Sequence, residues 1–237
     1  LSVAVSKTVQ KCYPQTQVQT SRDTLTFILN TGSAFLDLKD SYLSLDITNT
    51  TTGGSPGGVV WFGDRGGSAA NIIERLVISS RSGQVLERID RANLLSAIKM
   101  EWVHDIAYGR FGPGSAAGEC GVVSDLAWGR STKLRFCIPL SLISPMIDSY
   151  DALIPAQLAS GMRFEFLLAS ADAALASSDN TDLPTPQVLG YEITNASMNV
   201  QSFLLSDVVL RTLNGMAAQS GLEVVMSTFY CATGERN

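Results

Sequence analysis

Residues 34–47, AFLDLKDSYLSLDI, decide the fold class because apolar and polar side chains alternate along them. Leu43, Leu45 and Ile47 fall on one side of an extended chain, and this period of two predicts a half-buried strand over 41–48. Residues 72–98, IIERLVISSRSGQVLERIDRANLLSAI, begin as two apolar runs separated by the turn SRSG. They predict a hairpin of two strands, 71–79 and 84–89. The two stretches together indicate an antiparallel β protein.

The same alternation recurs on both sides of these stretches. It is present in DTLTFILN (23–30), KLRFCIPL (133–140), GMRFEFLLAS (161–170), the region 188–205 and the segment 222–230. About eight strands joined by long loops favour a sandwich over alternating β–α–β units. We therefore predict an all-β fold, an antiparallel eight-stranded jelly-roll sandwich with two or three short helices in the connections.

Helical spacing replaces the strand pattern in a few places. After Asp90, a suitable N-cap, the apolar residues Leu94, Leu95, Ile98 and Trp102 share one helical face. Residues 141–160 contain two prolines and predict short helical turns, and a further helix is expected after Ser206 or Asp207. These elements divide the chain into an N-terminal arm (1–23), the sandwich (24–221), and a last strand with the exit of the chain (222–237).

The composition limits the classes of partner. Of the 237 residues, 45% are hydrophobic and only 16% are charged, which predicts a surface that is largely hidden against partners. The chain has 22 acidic and 17 basic residues, and the basic ones are spread along it. Because binding to phosphate backbones needs clustered cations, we expect no sequence-specific nucleic acid as a partner. No apolar run is long enough for a transmembrane segment.

Catalytic patterns are not found in the sequence. His104 is the single histidine and has no nucleophile motif beside it, and the glycine-rich loops lack a phosphate-binding signature. We interpret the chain as not an enzyme, with no metal and no cofactor. Cys12, Cys120, Cys137 and Cys231 lie too far apart for a zinc knuckle. Buried free thiols are the favoured interpretation, and disulfides remain the alternative.

Four aromatic side chains stand in or beside the long loops instead of on the alternating strands. They are Trp61, Phe62, Phe111 and Trp128. Either the loops fold back and bury them, or they contact neighbouring subunits, as aromatic residues commonly do at interfaces. We predict that they are intersubunit contacts.

The order of the segments resembles a known family. FLDLKDSYLSLDI and IIERLVISSRSGQVLERIDRANLLSAI, followed by FCIPLSLISPM, LIPAQLASGMRFEFLLA, YEITNASMNVQSFLLSDVVLRTLNGM and GLEVVMSTFY, are similar to the first jelly roll of the double jelly-roll major capsid proteins. These proteins come from polinton-like viruses, virophages and related double-stranded DNA viruses. The resemblance covers about residues 24–230 and rests on strand and turn patterns.

The resemblance implies a structural capsid protein in the virion shell, assembled inside the infected host cell. It implies a homotrimeric capsomer that contacts other capsomers and minor capsid or penton proteins in an icosahedral shell. A second jelly roll would be expected after STFYCATGERN. The alternative function is a carbohydrate-binding jelly-roll module of a surface or spike protein, with Trp61 and Trp128 in the sugar site.

Overall fold

The computed structural model describes residues 4–30, 32, 34–53, 60–62, 68–100, 131, 133–177, 187–220 and 225–228. These residues form eleven strands: β1 Ala4–Cys12, β2 Gln19–Thr20, β3 Thr24–Ile28, β4 Phe35–Asn49, β5 Val60–Phe62, β6 Ile73–Ser79, β7 Val85–Ile89, β8 Lys133–Pro139, β9 Arg163–Leu168, β10 Leu175–Ser177 and β11 Tyr191–Leu205. They also form a 3₁₀ turn, Ala69–Ile72, and six helices: α1 Ala92–Ile98, α2 Leu140–Ile143, α3 Pro145–Asp148, α4 Ala156–Ala159, α5 Ala171–Ala174 and α6 Asp207–Ser220.

The strand order is that of a jelly roll. One sheet has the order β1-β11-β4-β8, with β2 added beside β11, and the other has the order β3-β9-β6-β7. A separate pair joins β5 to β10. Without the three short strands β2, β5 and β10, eight strands remain, and the chain crosses between the two sheets after nearly every one. This connectivity of two four-stranded sheets confirms the predicted fold class.

The core lies between the two sheets and follows the predicted faces. Phe27, Phe164 and Phe166 are completely buried in the second sheet, and the ring of Phe166 lies edge-on to Phe27 with 5.8 Å between centroids. Leu43 and Ile47 of β4 meet them from the first sheet and are also completely buried. Period-two alternation therefore located the inward side chains correctly, because a sandwich strand has one dry face and one outer face.

Strand β4 is longer than predicted because a bulge interrupts its alternation. Leu36 and Leu38 are buried at even positions, whereas Leu43 and Leu45 are buried at odd positions. The register against β11 shifts in between, and the hydroxyl of Ser41 accepts a hydrogen bond from the Gln201 amide at 3.0 Å. Between Asp37 and Tyr42 the strand has three more residues than the facing part of β11, and an odd number of extra residues explains why the inward parity changes within a single strand.

Helix α1 differs from its prediction in both its cap and its buried face. Asp90 does not cap the helix, because its carboxylate binds Arg75 and Arg88, and Arg91 occupies the N-cap position. Ala92 and Ser96 are the buried residues of the helix. Leu94 and Ile98, expected on the buried face, are 55% and 43% exposed, and Leu95 is partly buried. Trp102 lies outside the described residues. The face that carries the small side chains Ala92 and Ser96 packs inward because α1 lies close against the 3₁₀ turn and β6.

The described residues at both ends of the predicted domain plan contact the sandwich. Residues expected in an N-terminal arm include β1, an edge strand paired with β11, so this part of the chain is built into the sandwich. At the other end, the described residues 225–228 of the predicted last strand lie in no strand. Instead, the Ser227 amide donates to the Ser149 hydroxyl at 2.9 Å, next to α3. The division at residues 23 and 221 stays a prediction.

Candidate interaction surfaces

The four predicted aromatic contacts separate into three groups. Phe62 in β5 is only 3% exposed and packs edge-on against Phe136 with 5.1 Å between ring centroids, so it has little surface left for a neighbour. Trp61 precedes it in the same strand, opposite Ala176 of β10. Phe111 and Trp128 lie outside the described residues. The intersubunit role of these side chains stays a prediction.

The described ranges contain no group of three or more His, Cys, Asp or Glu side chains that could hold a metal ion. His104, Cys120 and Cys231 lie outside these ranges. Cys12 and Cys137 are free thiols, and Cys12 is buried. Burial raises the pKa of the Cys12 thiol, which makes it unreactive. Among the described helices, none is long and apolar enough to cross a bilayer.

A buried carboxylate ties three elements together at one end of the second sheet. Glu87 of β7 is 2% exposed. Its Oε1 accepts hydrogen bonds from the Met146 amide at 2.8 Å and the Thr228 hydroxyl at 2.6 Å, and its Oε2 accepts one from the Ser144 hydroxyl. Ser144 and Met146 belong to the first turn of α3. Glu87 therefore holds both this turn and the segment 225–228 against β7.

An apolar groove of about 340 Å³ lies next to this carboxylate. It is lined mainly by Leu86, Met146, Ile154, Leu158, Met162 and Met226. Leu86 and Leu158 are largely exposed at its rim. Within the described residues β7 is the edge strand of its sheet, and Leu86 of this strand lines the groove.

A second, polar concavity lies on the outer face of the first sheet; we call it the cleft. Its floor is formed by β4, β8 and β11, and its wall by the connection 13–18 between β1 and β2. Its volume is about 750 Å³. In the floor, β11 has a bulge between Thr194 and Ser197, and Asn195 there adopts a φ of 50°. Asparagine tolerates this left-handed conformation better than most residues, which allows the strand to bend around the cleft.

The bulge also brings a charged pair to the floor. Arg135 of β8 donates two hydrogen bonds to the Asp46 carboxylate of β4, at 2.6 and 3.1 Å, and Asn195 Nδ2 donates a third at 2.9 Å. The hydrogen bond from Arg135, followed by that from Asn195, holds the pKa of Asp46 below its ordinary value of 3.8, although burial opposes this. The pair thus fixes the position of the Arg135 guanidinium beside the cleft.

This low pKa predicts how the pair contributes to stability as the pH changes. Because the folded-state pKa of Asp46 is depressed, its contribution is fully present above the unfolded-state pKa and disappears as the pH falls through the folded-state pKa. We expect Asp46→Asn to lower the thermal unfolding midpoint at about pH 7, with the difference from wild type shrinking toward about pH 2. Thermal melts followed by circular dichroism at several pH values would measure it. A difference that stays constant across that range would contradict the assignment.

The cleft was not predicted from the sequence, although the residues that line it on β8 form a recognisable pattern there. Lys133, Arg135 and Cys137 alternate with the inward residues of KLRFCIP and therefore share the outward face of β8. This alternation predicted only the buried side chains. It could not predict the wall of the cleft, because the path of residues 13–18 depends on the pairing of β1 and β2 with β11.

Comparison with known proteins gives matches at the level of structure alone. No protein-family model matches this chain, and no curated protein does. The solved structure of the Faustovirus major capsid protein has a TM-score of 0.56 to this chain, with 10% sequence identity, over 90% of this chain and 56% of that chain. At this identity the match shows a shared fold. It confirms, at the level of fold, the resemblance to jelly-roll capsid proteins.

Two further structures are similar to a lesser degree. VP54 of PBCV-1, fitted into a cryo-EM reconstruction of the virophage Sputnik, has a TM-score of 0.47 and 10% identity, over 87% of this chain and 44% of that chain. The infectious bursal disease virus Gt strain structure has a TM-score of 0.27 and 8% identity, over 91% of this chain and 48% of that chain. These two scores are too low to carry an argument. The chain spans about half the length of each solved chain that it matches.

Proposed function

We propose that this chain is a structural capsid protein that self-assembles into the shell of a virus. The observation that carries the proposal is the jelly-roll strand order, β1-β11-β4-β8 facing β3-β9-β6-β7, in a fold shared with the Faustovirus major capsid protein over 90% of the chain. Its place would be the virion, and its main partner a further copy of itself. Minor capsid or penton proteins would be additional partners.

The finer part of the proposal is a trimeric capsomer in an icosahedral shell. The chain corresponds in length to about half of the Faustovirus protein, which supports a role as one roll of a double jelly-roll subunit. Six such rolls would make a trimer of nearly hexagonal outline. This arrangement is what the resemblance implies.

The apolar groove beside β7 is the described surface best suited to hold a neighbouring copy. Leu86 and Leu158 leave apolar area exposed at its rim, and burying such area supplies most of the free energy of association. Charge pairs would add little, because exposed ion pairs contribute only ~0–1 kcal/mol each. Trp61, Phe111 and Trp128 remain candidates for the same kind of contact.

The oligomeric state of the full-length protein tests this proposal. We expect trimers in size-exclusion chromatography with light scattering, and we expect them to persist in about 1 M NaCl, where the Debye length is ~3 Å. Apolar burial is not screened by salt, whereas charge contacts are. Leu158→Asp should shift the equilibrium toward monomers, and Val188→Asp, at an exposed apolar position outside the groove, serves as the matched control.

Two results would contradict this account of assembly. A protein that stays strictly monomeric at high concentration would overturn the capsid role itself. Trimers that fall apart in about 1 M NaCl would instead show that charge contacts hold the subunits together.

A further inference from the structure

The cleft on the first sheet has the dimensions of a ligand site. Its volume of about 750 Å³ lies within the ~300–1,000 Å³ range of pockets that enclose small ligands. Its floor belongs to three hydrogen-bonded strands, so the side chains that point into it are held by a rigid support. The wall 13–18 gives it depth that a flat sheet face would lack.

The charge of the cleft is opposite to that of the chain. The whole chain has a net charge of −5, yet Lys11, Lys133 and Arg135 line the cleft, and none of its other described lining residues is charged. Arg135 is already paired with Asp46, and Lys133 also acts electrostatically on this carboxylate, but Lys11 and Lys133 form no ion pair with any described residue. Three cations around one buried carboxylate leave the cleft with an excess of positive charge, which favours a ligand with negative charges.

The neutral groups of the cleft favour a ligand that also has hydroxyl groups and apolar ring faces. Tyr13 is 70% exposed at the wall, and Tyr42 stands in the floor. Asn199 is buried, and its Nδ2 donates to the carbonyl and the hydroxyl of Ser197 at 3.3 and 3.2 Å, which fixes its amide. Tyrosine rings pack against the C–H faces of sugars, and amides and hydroxyls pair with sugar hydroxyl groups.

Two other anionic ligands fit less well. An extended acidic peptide gains most of its affinity from main-chain hydrogen bonds to a free strand edge, but β4 and β11 in the floor are paired on both sides, which leaves only the outer edge of β8 without a described partner strand. A long nucleic acid would meet only three cations here, on a chain that repels polyanions elsewhere. A short ligand with a few charges fits both facts.

We propose that the cleft binds an acidic oligosaccharide, a sugar chain that carries sulfate or carboxylate groups. Lys11 and Lys133 contact its anionic groups, and Tyr13, Tyr42 and Asn199 contact its rings and hydroxyls. The residues proposed to contact the sugar are other than Trp61 and Trp128, which the sequence indicated for a sugar-binding module. Such binding goes beyond the shell role, because a shell can assemble without it.

The test uses the full-length protein and two probes of equal length, a heparin-derived hexasaccharide and the neutral maltohexaose. We expect the sulfated probe to bind and the neutral probe to bind far more weakly in isothermal titration calorimetry. Lys11→Gln and Lys133→Gln should each weaken the binding at least about fivefold, since hydrogen bonds to charged groups are the stronger ones. Lys7→Gln removes the same charge from the same strand outside the cleft and should change the affinity less than about twofold.

Cys137 supplies a second readout that does not depend on the variants. It is a free, partly exposed thiol in the floor of the cleft. We expect the sulfated hexasaccharide to slow its alkylation, measured by mass spectrometry on the peptide that contains it. The proposal is overturned if the sulfated probe does not bind, if Lys7→Gln weakens binding as much as the cleft variants, or if Cys137 is not protected. Tighter binding of an acidic hexapeptide or of oligothymidine would also overturn it, in favour of that ligand class.

Discussion

Phe166→Ala is expected to lower the free energy of unfolding by about 3–5 kcal/mol. That loss is a large part of the total stability of a typical domain, which is about 5–15 kcal/mol. Phe166 is completely buried, and its ring contacts those of Phe27 and Phe164, at centroid distances of 5.8 and 6.4 Å. Alanine would leave a cavity between the sheets that the paired strands on both sides cannot close. Denaturant unfolding followed by tryptophan fluorescence would measure the change.

The control for this substitution lies on the neighbouring strand. Ile28 in β3 is about half exposed, so Ile28→Ala should lower the free energy of unfolding by less than about 1 kcal/mol. If Phe166→Ala does not fold, Phe166→Leu should show an intermediate loss, because it leaves a smaller cavity. Equal, small effects of the variants at both positions would contradict the description of the core.

Glu87→Ala is expected to destabilise the protein by about 3 kcal/mol, because a buried donor left without an acceptor loses its full desolvation energy. Three donors would be affected: the Ser144 hydroxyl, the Met146 amide and the Thr228 hydroxyl. The first turn of α3 and the segment 225–228 would lose their common anchor. Hydrogen exchange should therefore show faster exchange at the Met146 amide, and denaturant unfolding should show the loss of stability.

Two companion variants separate the anchor role from a general charge effect. Glu87→Gln keeps one acceptor oxygen and should cause a smaller loss than Glu87→Ala. Glu165→Ala removes a carboxylate that pairs only with Arg163 on the partly exposed face of β9, and it should change stability by less than ~1 kcal/mol. If Glu165→Ala were as harmful as Glu87→Ala, the anchor would have no special role.

Inward-facing strand residues could be predicted because every strand of a sandwich has one buried face and one outer face, so that its side chains alternate between them. In β9, Phe164, Phe166 and Leu168 had to be buried once the period of two was recognised. In β4, the change from even to odd buried positions in FLDLKDSYLSLDI was visible in the sequence, but only a bulge reconciles it with a single strand. Period two thus located the core and missed the three extra residues.

Helix α1 and the cleft show where local pattern was insufficient. For α1, the apolar residues Leu94 and Ile98 point away from the described elements that pack against the helix, because the 3₁₀ turn and β6 lie on the side of Ala92 and Ser96. Which face a helix buries depends on the space available, and the sequence of the helix does not contain that information. The cleft depends in the same way on where the chain before β3 returns to the sheet.

The pairing of β1 with β11 determines when the sandwich can be completed during synthesis. Cys12 lies opposite Met198 and Ala4 opposite Leu205, so β1 leaves the ribosome long before its partner strand, which lies near the other end of the described chain. At ~5–20 residues per second, β1 waits on the order of ten seconds or more for β11 to be made. Contacts of such long range make folding slow. During this interval β1 and the unpaired edge of β4 are accessible to chaperones and to other nascent chains, so the rate of translation should influence the yield of folded subunits.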